Sequence, residues 1–253
     1  MINFQKATEA FKKYISQYDE TIPSIRLKIV HTYEVMKCSD YLCEQLRLNQ
    51  EDKELAALIA LLHDIGRFEQ WMRYQSFADY KTIDHALFSS QLLFDEGLIR
   101  EFIDDSQYDR IIKNAIEQHN KYKIDEGFDE RTLLFIHIIR DADKLDNFRV
   151  KEEEDLETTI YVSYDEVNKE TISPKIYDQF YHQELIYGPN RITHLDMWLS
   201  YIAFIFDLHF LKSLQYVKEK NWVNRSFDRI NPSDPKTHEQ YETLRRRALD
   251  YIG

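Results

Sequence analysis

Five short stretches of the chain carry six residues of the types that hold transition metals: His31, the adjacent pair His63-Asp64, His85, His119 and Asp143. Neutral imidazoles together with carboxylates suit Mn, Fe, Co, Ni or Zn rather than an all-oxygen Mg or Ca cage. One or two such divalent ions are therefore the expected cofactor. Two cations about 3.5–4 Å apart can activate a water and clamp the oxygens of a phosphoryl group. They also neutralise negative charge that develops there during reaction.

Each residue has a plainer reading beside this one. His31 lies on a stripe with Leu27, Val35, Cys38 and Leu42, within a helix expected from a Ser24 N-cap to about Leu46, and a lone histidine there is more often a core histidine with a hydrogen bond than a ligand. His63-Asp64 ends the apolar run Leu55 to Leu62, and Gly66 reads as the C-terminal stop of that helix. An ionised aspartate at a buried helix end needs a partner, because an unpaired buried carboxylate is costly. A helix that has simply reached solvent needs none. His85 falls in the first turn of a helix opened by Thr82 or Asp84, where a surface histidine is ordinary. His119 continues the apolar stripe Tyr108, Ile111, Ile112, Ala115 and Ile116, behind a capping-box-like start at Ser106 and Asp109. The helix from about Arg131 offers Asp143, on the face of Ile136, Ile139 and Arg140. It also offers His137 and Asp141 at i,i+4, so spacing leaves both aspartates open.

The elements that must position these residues are helical. A chain of 253 residues with 43% hydrophobic and 14% aromatic content has a globular composition. Five glycines and five prolines are too few to punctuate a sandwich or barrel, so an all-α fold is expected. Asn49 reads as a cap, with Glu51, Asp52 and Glu54 favouring the positive end of the helix that follows. The aromatic and charged stretch 67–82 reads as a loop walling a pocket.

A net charge of −12 disfavours nucleic acid and anionic lipid as partners, while leaving room for one small anion at a local positive site. Cys38 and Cys43 build no disulfide framework, and a reduced, cytoplasmic setting is expected. Residues 1–20 lack the apolar stretch of a signal peptide, and no segment approaches the run of about 20 apolar residues that spans a bilayer.

The order His31, His63-Asp64, His85, His119, Asp143 on successive helices resembles the HD-domain superfamily of metal-dependent phosphohydrolases. Two segments carry the likeness, Leu61-Leu62-His63-Asp64-Ile65-Gly66-Arg67 and Arg140-Asp141-Ala142-Asp143-Lys144-Leu145-Asp146, within residues 24–148. The resemblance implies that Asp143, not Asp141, is the last ligand. It further implies the binuclear subset of the family. Asp64 would bridge two metals, with His31, His63 and Asp143 on the first and His85 and His119 on the second. Hydrolysis of a small phosphoester or nucleotide by a metal-held hydroxide is the implied activity. Di-iron oxygenases of the same superfamily, which oxidise a polyol or phosphonate carbon, are the alternative. A non-catalytic ligand-sensing module comes last, having no evident need for an intact ligand set. Arg67 and Lys144 are candidate catalytic contacts to phosphate, although Arg67 can equally pair with Glu69, and Lys144 with Asp64 or Asp141.

Beyond Phe148 the character changes, from the acidic run 151–155 to the tyrosine-rich stretch 158–190, which is either a lid or ordinary packing. A long helix from about Ile192 to Lys220 is expected, whose apolar part, 198–211, is a candidate homodimer surface. The chain reads as one domain, with a metal-binding core over 24–148 and a helical extension over 149–253.

Overall fold

The computed structural model describes residues 2–253, and it is all-α, with no strand among the described residues. It divides into two compact units, Met1–Asp143 and Lys144–Gly253. The division falls inside a single helix, close to the core boundary read from the sequence.

The first unit runs α1 (Phe4–Ile15), α2 (Pro23–Gln45), α3 (Gln50–Leu62), α4 (Gly66–Tyr74), α5 (His85–Ser90), α6 (Ile99–Phe102), α7 (Asp109–Gln118) and the start of α8 (Glu130–Glu153). Helix α2 begins two residues earlier than expected, with Pro23 at its first position and Ile22 rather than Ser24 as the cap. The fixed φ of proline suits that position, and its missing N–H is one that the helix would leave unused. Asn49 caps α3 as expected, its side chain accepting from Asp52 N. Leu55, Leu58, Leu61 and Leu62 of α3 are fully buried. Each such side chain contributes about 1.5–3 kcal/mol by leaving water.

Three further expectations are corrected in this unit. Gly66 is not a helix stop but the first residue of α4, and the chain turns from α3 into α4 through His63, Asp64 and Ile65 in helical conformation. The reason for glycine is proximity: a Cβ at Gly66 would lie 2.8 Å from Ser89 N and 2.9 Å from Ser89 Oγ of α5. The stretch 67–82 is accordingly mostly helical, comprising α4 and a short 3-10 turn over Asp79–Lys81. Helix α7 starts at Asp109 behind Tyr108, and Ser106 does not cap it.

The second unit holds α9 (Leu156–Ile160), α10 (Tyr164–Val167), α11 (Pro174–Tyr181), α12 (His194–Ile202), α13 (Leu211–Glu219), α14 (Trp222–Asp228) and α15 (Pro235–Ile252). The single long helix expected over 192–220 is instead two helices, α12 and α13, separated by a 3-10 turn over Ala203–Asp207. The break comes where Asp207 and His209 interrupt the apolar run, and Asp207 there pairs with Lys144 at 3.0 Å. Asp196, fully buried, accepts from Ser173 N and Oγ, Ile192 N and Thr193 N, which ties the start of α12 to that of α11.

Candidate metal centre

Four elements of the first unit bring histidines to one place. His31 sits mid-helix on α2, His63 and Asp64 follow the end of α3, His85 opens α5, and His119 ends α7. All five side chains are buried, at 0–6% exposure. Asp84 starts α5 by accepting from Ala86 N and Leu87 N, which sets where His85 emerges. Arg140 of α8 is buried and donates from Nη1 to the carbonyl oxygens of Gln118 (2.8 Å) and Lys121 (2.6 Å). A cation there satisfies carbonyls at the C-terminal end of α7 and fixes His119 against α8.

The carboxylate of Asp64 lies at the centre. Its Oδ2 is 3.7 Å from His31 Nε2 and 3.8 Å from His63 Nε2, while its Oδ1 is 3.4 Å from His85 Nε2 and 3.8 Å from His119 Nε2. Asp143 Oδ1 approaches from the first side, 3.1 Å from His31 Nε2 and 4.0 Å from His63 Nε2. Among the described residues, His31-His63-Asp64 and Asp64-His85-His119 are each spaced to hold an ion, and Asp143 borders the first group through His31. The acidic trio Asp79-Asp84-His85 has similar spacing, but Asp84 is spent on capping α5.

The protonation pattern fits a cation. His63 Nδ1 contacts the Ala60 carbonyl at 2.8 Å, and His119 Nδ1 the Ile116 carbonyl at 2.6 Å. A carbonyl only accepts, so both Nδ1 atoms carry the hydrogen and both Nε2 atoms present lone pairs to the centre. His85 Nδ1 is 2.5 Å from Asp79 Oδ2, which imposes the same tautomer. Its Nε2 then meets that of His119 at 3.0 Å, where a proton on one ring or a cation can lie between the two. Burial lowers the pKa of His63, and burial with the neighbouring His85 and His63 lowers that of His119 to about 3, so both rings are neutral at ordinary pH. Burial would raise the pKa of Asp64. Lys28, His63, His85 and Arg67 outweigh it and hold the carboxyl well below the usual range. Asp143 is likewise held low against its burial, first by the His31 hydrogen bond. His63 Nε2 and Asp64 Oδ1 are buried acceptors with no hydrogen-bond partner. Such atoms are expensive unless a cation satisfies them, so the residues present fit a divalent metal.

Residues 29–147 match the HD domain family. This stretch of the chain is an HD domain. No curated protein and no solved structure matches the chain. HD domains bind divalent metals and are mostly metal-dependent hydrolases, and the matched stretch includes all six histidine and aspartate residues of the centre.

The HD domain places two further cations beside Asp64. Lys28 Nζ is 2.7 Å from Asp64 Oδ2 and lies over the Phe77 ring. Arg67 Nε is 3.6 Å from Asp64 Oδ1, while its Nη1 donates to Gln70 Oε1, the Phe77 carbonyl and Asp79 Oδ1. Arg67 therefore pairs with Asp79 and not with Glu69, which is taken by Arg73. Lys144 pairs with Asp207, and Lys121 with Asp125.

Sequence reasoning missed Lys28 and Asp79. Lys28 was within reach, one turn before His31 on the same side of α2. Asp79 carried no periodic signal, because it stands in a 3-10 turn reached only through the fold. Among the described residues, no helix is long and apolar enough to cross a membrane.

Proposed function

We propose that this HD domain is a metal-dependent phosphohydrolase acting on a small phosphoester or nucleotide. The observation that supports this most is the division of Asp64, whose two oxygens face separate histidine pairs. His31, His63, Asp64 and Asp143 would hold one cation, and Asp64, His85 and His119 a second. Bound cations of this kind supply an activated water and neutralise charge on a phosphoryl group. The remaining work falls to the chain. Burial keeps His63 and His119 neutral, and their backbone hydrogen bonds aim them inward. Lys28 adds a positive group at the edge of the centre, its side chain 16% exposed, where it can meet a phosphate oxygen. Arg67, three of whose acceptors are within the protein, braces that edge.

The test is phosphate release from a panel of nucleotides and phosphomonoesters with Mn²⁺, Co²⁺ or Ni²⁺. Release that Asp64→Ala abolishes is the expected result. A di-iron spectroscopic signal in aerobically purified protein, with O₂ consumption and no phosphate release, would overturn it in favour of an oxygenase.

A further inference from the structure

Among His63, His85 and His119, whose Nδ1 atoms each meet an acceptor, one differs in kind. His63 and His119 donate to carbonyls of their own helices, Ala60 and Ile116. No side-chain substitution removes those acceptors. His85 instead points its Nδ1 at a side chain, Asp79, which lies in the strap between α4 and α5.

That carboxylate is itself held. Arg67 Nη1 reaches Asp79 Oδ1 at 2.7 Å and Gln70 Nε2 reaches it at 3.1 Å, leaving Oδ2 for His85. Gln70 is fully buried and its amide also donates to Thr82 Oγ1 (2.8 Å) and the Ile83 carbonyl (3.0 Å). Helix α4 thus fixes the strap, the strap fixes Asp79, and Asp79 fixes the His85 ring. The carboxylate contacts Nδ1, at the other end of the ring from Nε2, so it lies behind His85 rather than in the ligand set.

We propose that Asp79 is the positioning carboxylate for His85, and that it sets the affinity of the second cation position formed by Asp64, His85 and His119. This rests on the metal-dependent reading above. A carboxylate behind a ligating histidine fixes its tautomer and orientation and makes the free nitrogen more basic. Removing such a partner costs about 10–100-fold in metal affinity. Arg67 acts one step further out, by holding Asp79.

The experiment is calorimetric titration of metal-stripped full-length protein with Mn²⁺, for the wild type, Asp79→Ala, Asp79→Asn and Thr82→Val. Thr82→Val loosens the same strap at Gln70 without touching His85, and circular dichroism melting confirms that each variant is folded. The wild type is expected to bind two equivalents. Asp79→Ala should weaken the second about 10–100-fold and leave the first unchanged. Asp79→Asn, which retains a neutral acceptor, should lose less. Thr82→Val, which loosens the strap but keeps the Asp79 carboxylate, should weaken the second less than Asp79→Ala does. In metal-free protein, ¹⁵N NMR should show His85 as the Nδ1–H tautomer in the wild type and as a tautomer mixture in Asp79→Ala. The inference is overturned if Asp79→Ala binds both equivalents with wild-type affinity, if Thr82→Val weakens the second equally, or if the wild type binds one equivalent only. A wild type that binds no divalent metal would instead sink the metal-dependent reading beneath it.

Discussion

His85 Nε2 and His119 Nε2 face each other at 3.0 Å, and each ring has its Nδ1 hydrogen engaged behind it, by Asp79 and by the Ile116 carbonyl. Two lone pairs at that distance repel unless a proton or a cation lies between them. Burial lowers the pKa of His119 to about 3, so a bridging proton would have to be carried by His85, beside Asp79. A divalent cation that also meets Asp64 Oδ1 resolves the conflict. Replacing His119 with Ala should therefore remove one of two bound equivalents, read by elemental analysis of purified protein. Unchanged metal content would show that His119 is not a ligand.

Metal removal should make stability depend on mildly acidic pH. The folded pKa of His119, about 3, lies below its ordinary 6.5. As pH falls below 6.5 the unfolded chain takes up a proton that the folded protein refuses. Stability is thus fully present above pH 6.5 and declines towards pH 3, by at most ~1.4 kcal/mol per pH unit for this one group. His63, lowered in the same direction, adds to the slope. Asp64 and Asp143 contribute little above pH 5, since carboxylates are ionised there in both states. The urea midpoint of EDTA-treated protein should drop between pH 7 and pH 5, and His119→Asn should flatten that drop. An equal drop in the variant would exclude His119 as its source.

The ligand types and helical class were legible because both rest on local pattern. His31 and His119 lay on apolar stripes of their own helices, and the stripes point where the structure puts them, inward. His63-Asp64 was legible as polar residues at the end of a buried run. What turns α3 into α4 was not. Gly66 has the sequence signature of a helix stop, and only the approach of Ser89 from α5 shows that it starts one. The partners Lys28 and Asp79 were lost for a related reason, because an ion pair between separate elements leaves no period in the sequence. The break between α12 and α13 was missed because apolar content was read as continuity, although Asp207 and His209 already marked the interruption.

Lys28 separates substrate recognition from metal binding. Its Nζ touches Asp64 Oδ2 and its side chain remains partly exposed, whereas the histidines are sealed. A charge-assisted hydrogen bond to a phosphate oxygen contributes about 1.5–3 kcal/mol. Lys28→Met should accordingly lower kcat/KM for the substrate identified in the phosphate-release panel by roughly 10–100-fold. Metal stoichiometry should remain at the wild-type value. Loss of metal together with activity would make Lys28 a support for Asp64 rather than a phosphate contact.

Gly66 offers a test of the scaffold that leaves every proposed ligand in place. Its N–H donates to Ser89 Oγ at 2.9 Å, and a Cβ would come within 2.8 Å of Ser89 N, so α4 and α5 approach as closely as their backbones allow there. The obstructing atom is backbone and cannot swing aside, so Gly66→Ala must push the start of α4 away from α5. Alanine would otherwise favour a helix start over glycine by up to about 1 kcal/mol. Overpacking costs typically about 1–3 kcal/mol and outweighs that gain. The shift would also separate Arg67, one residue on, from the strap that carries Asp79. Gly66→Ala should therefore be less stable by about 1–2 kcal/mol in urea unfolding, and it should weaken the second metal equivalent more than the first. A variant of equal or higher stability would show that α4 and α5 have room to part, and that glycine is not needed at this crossing.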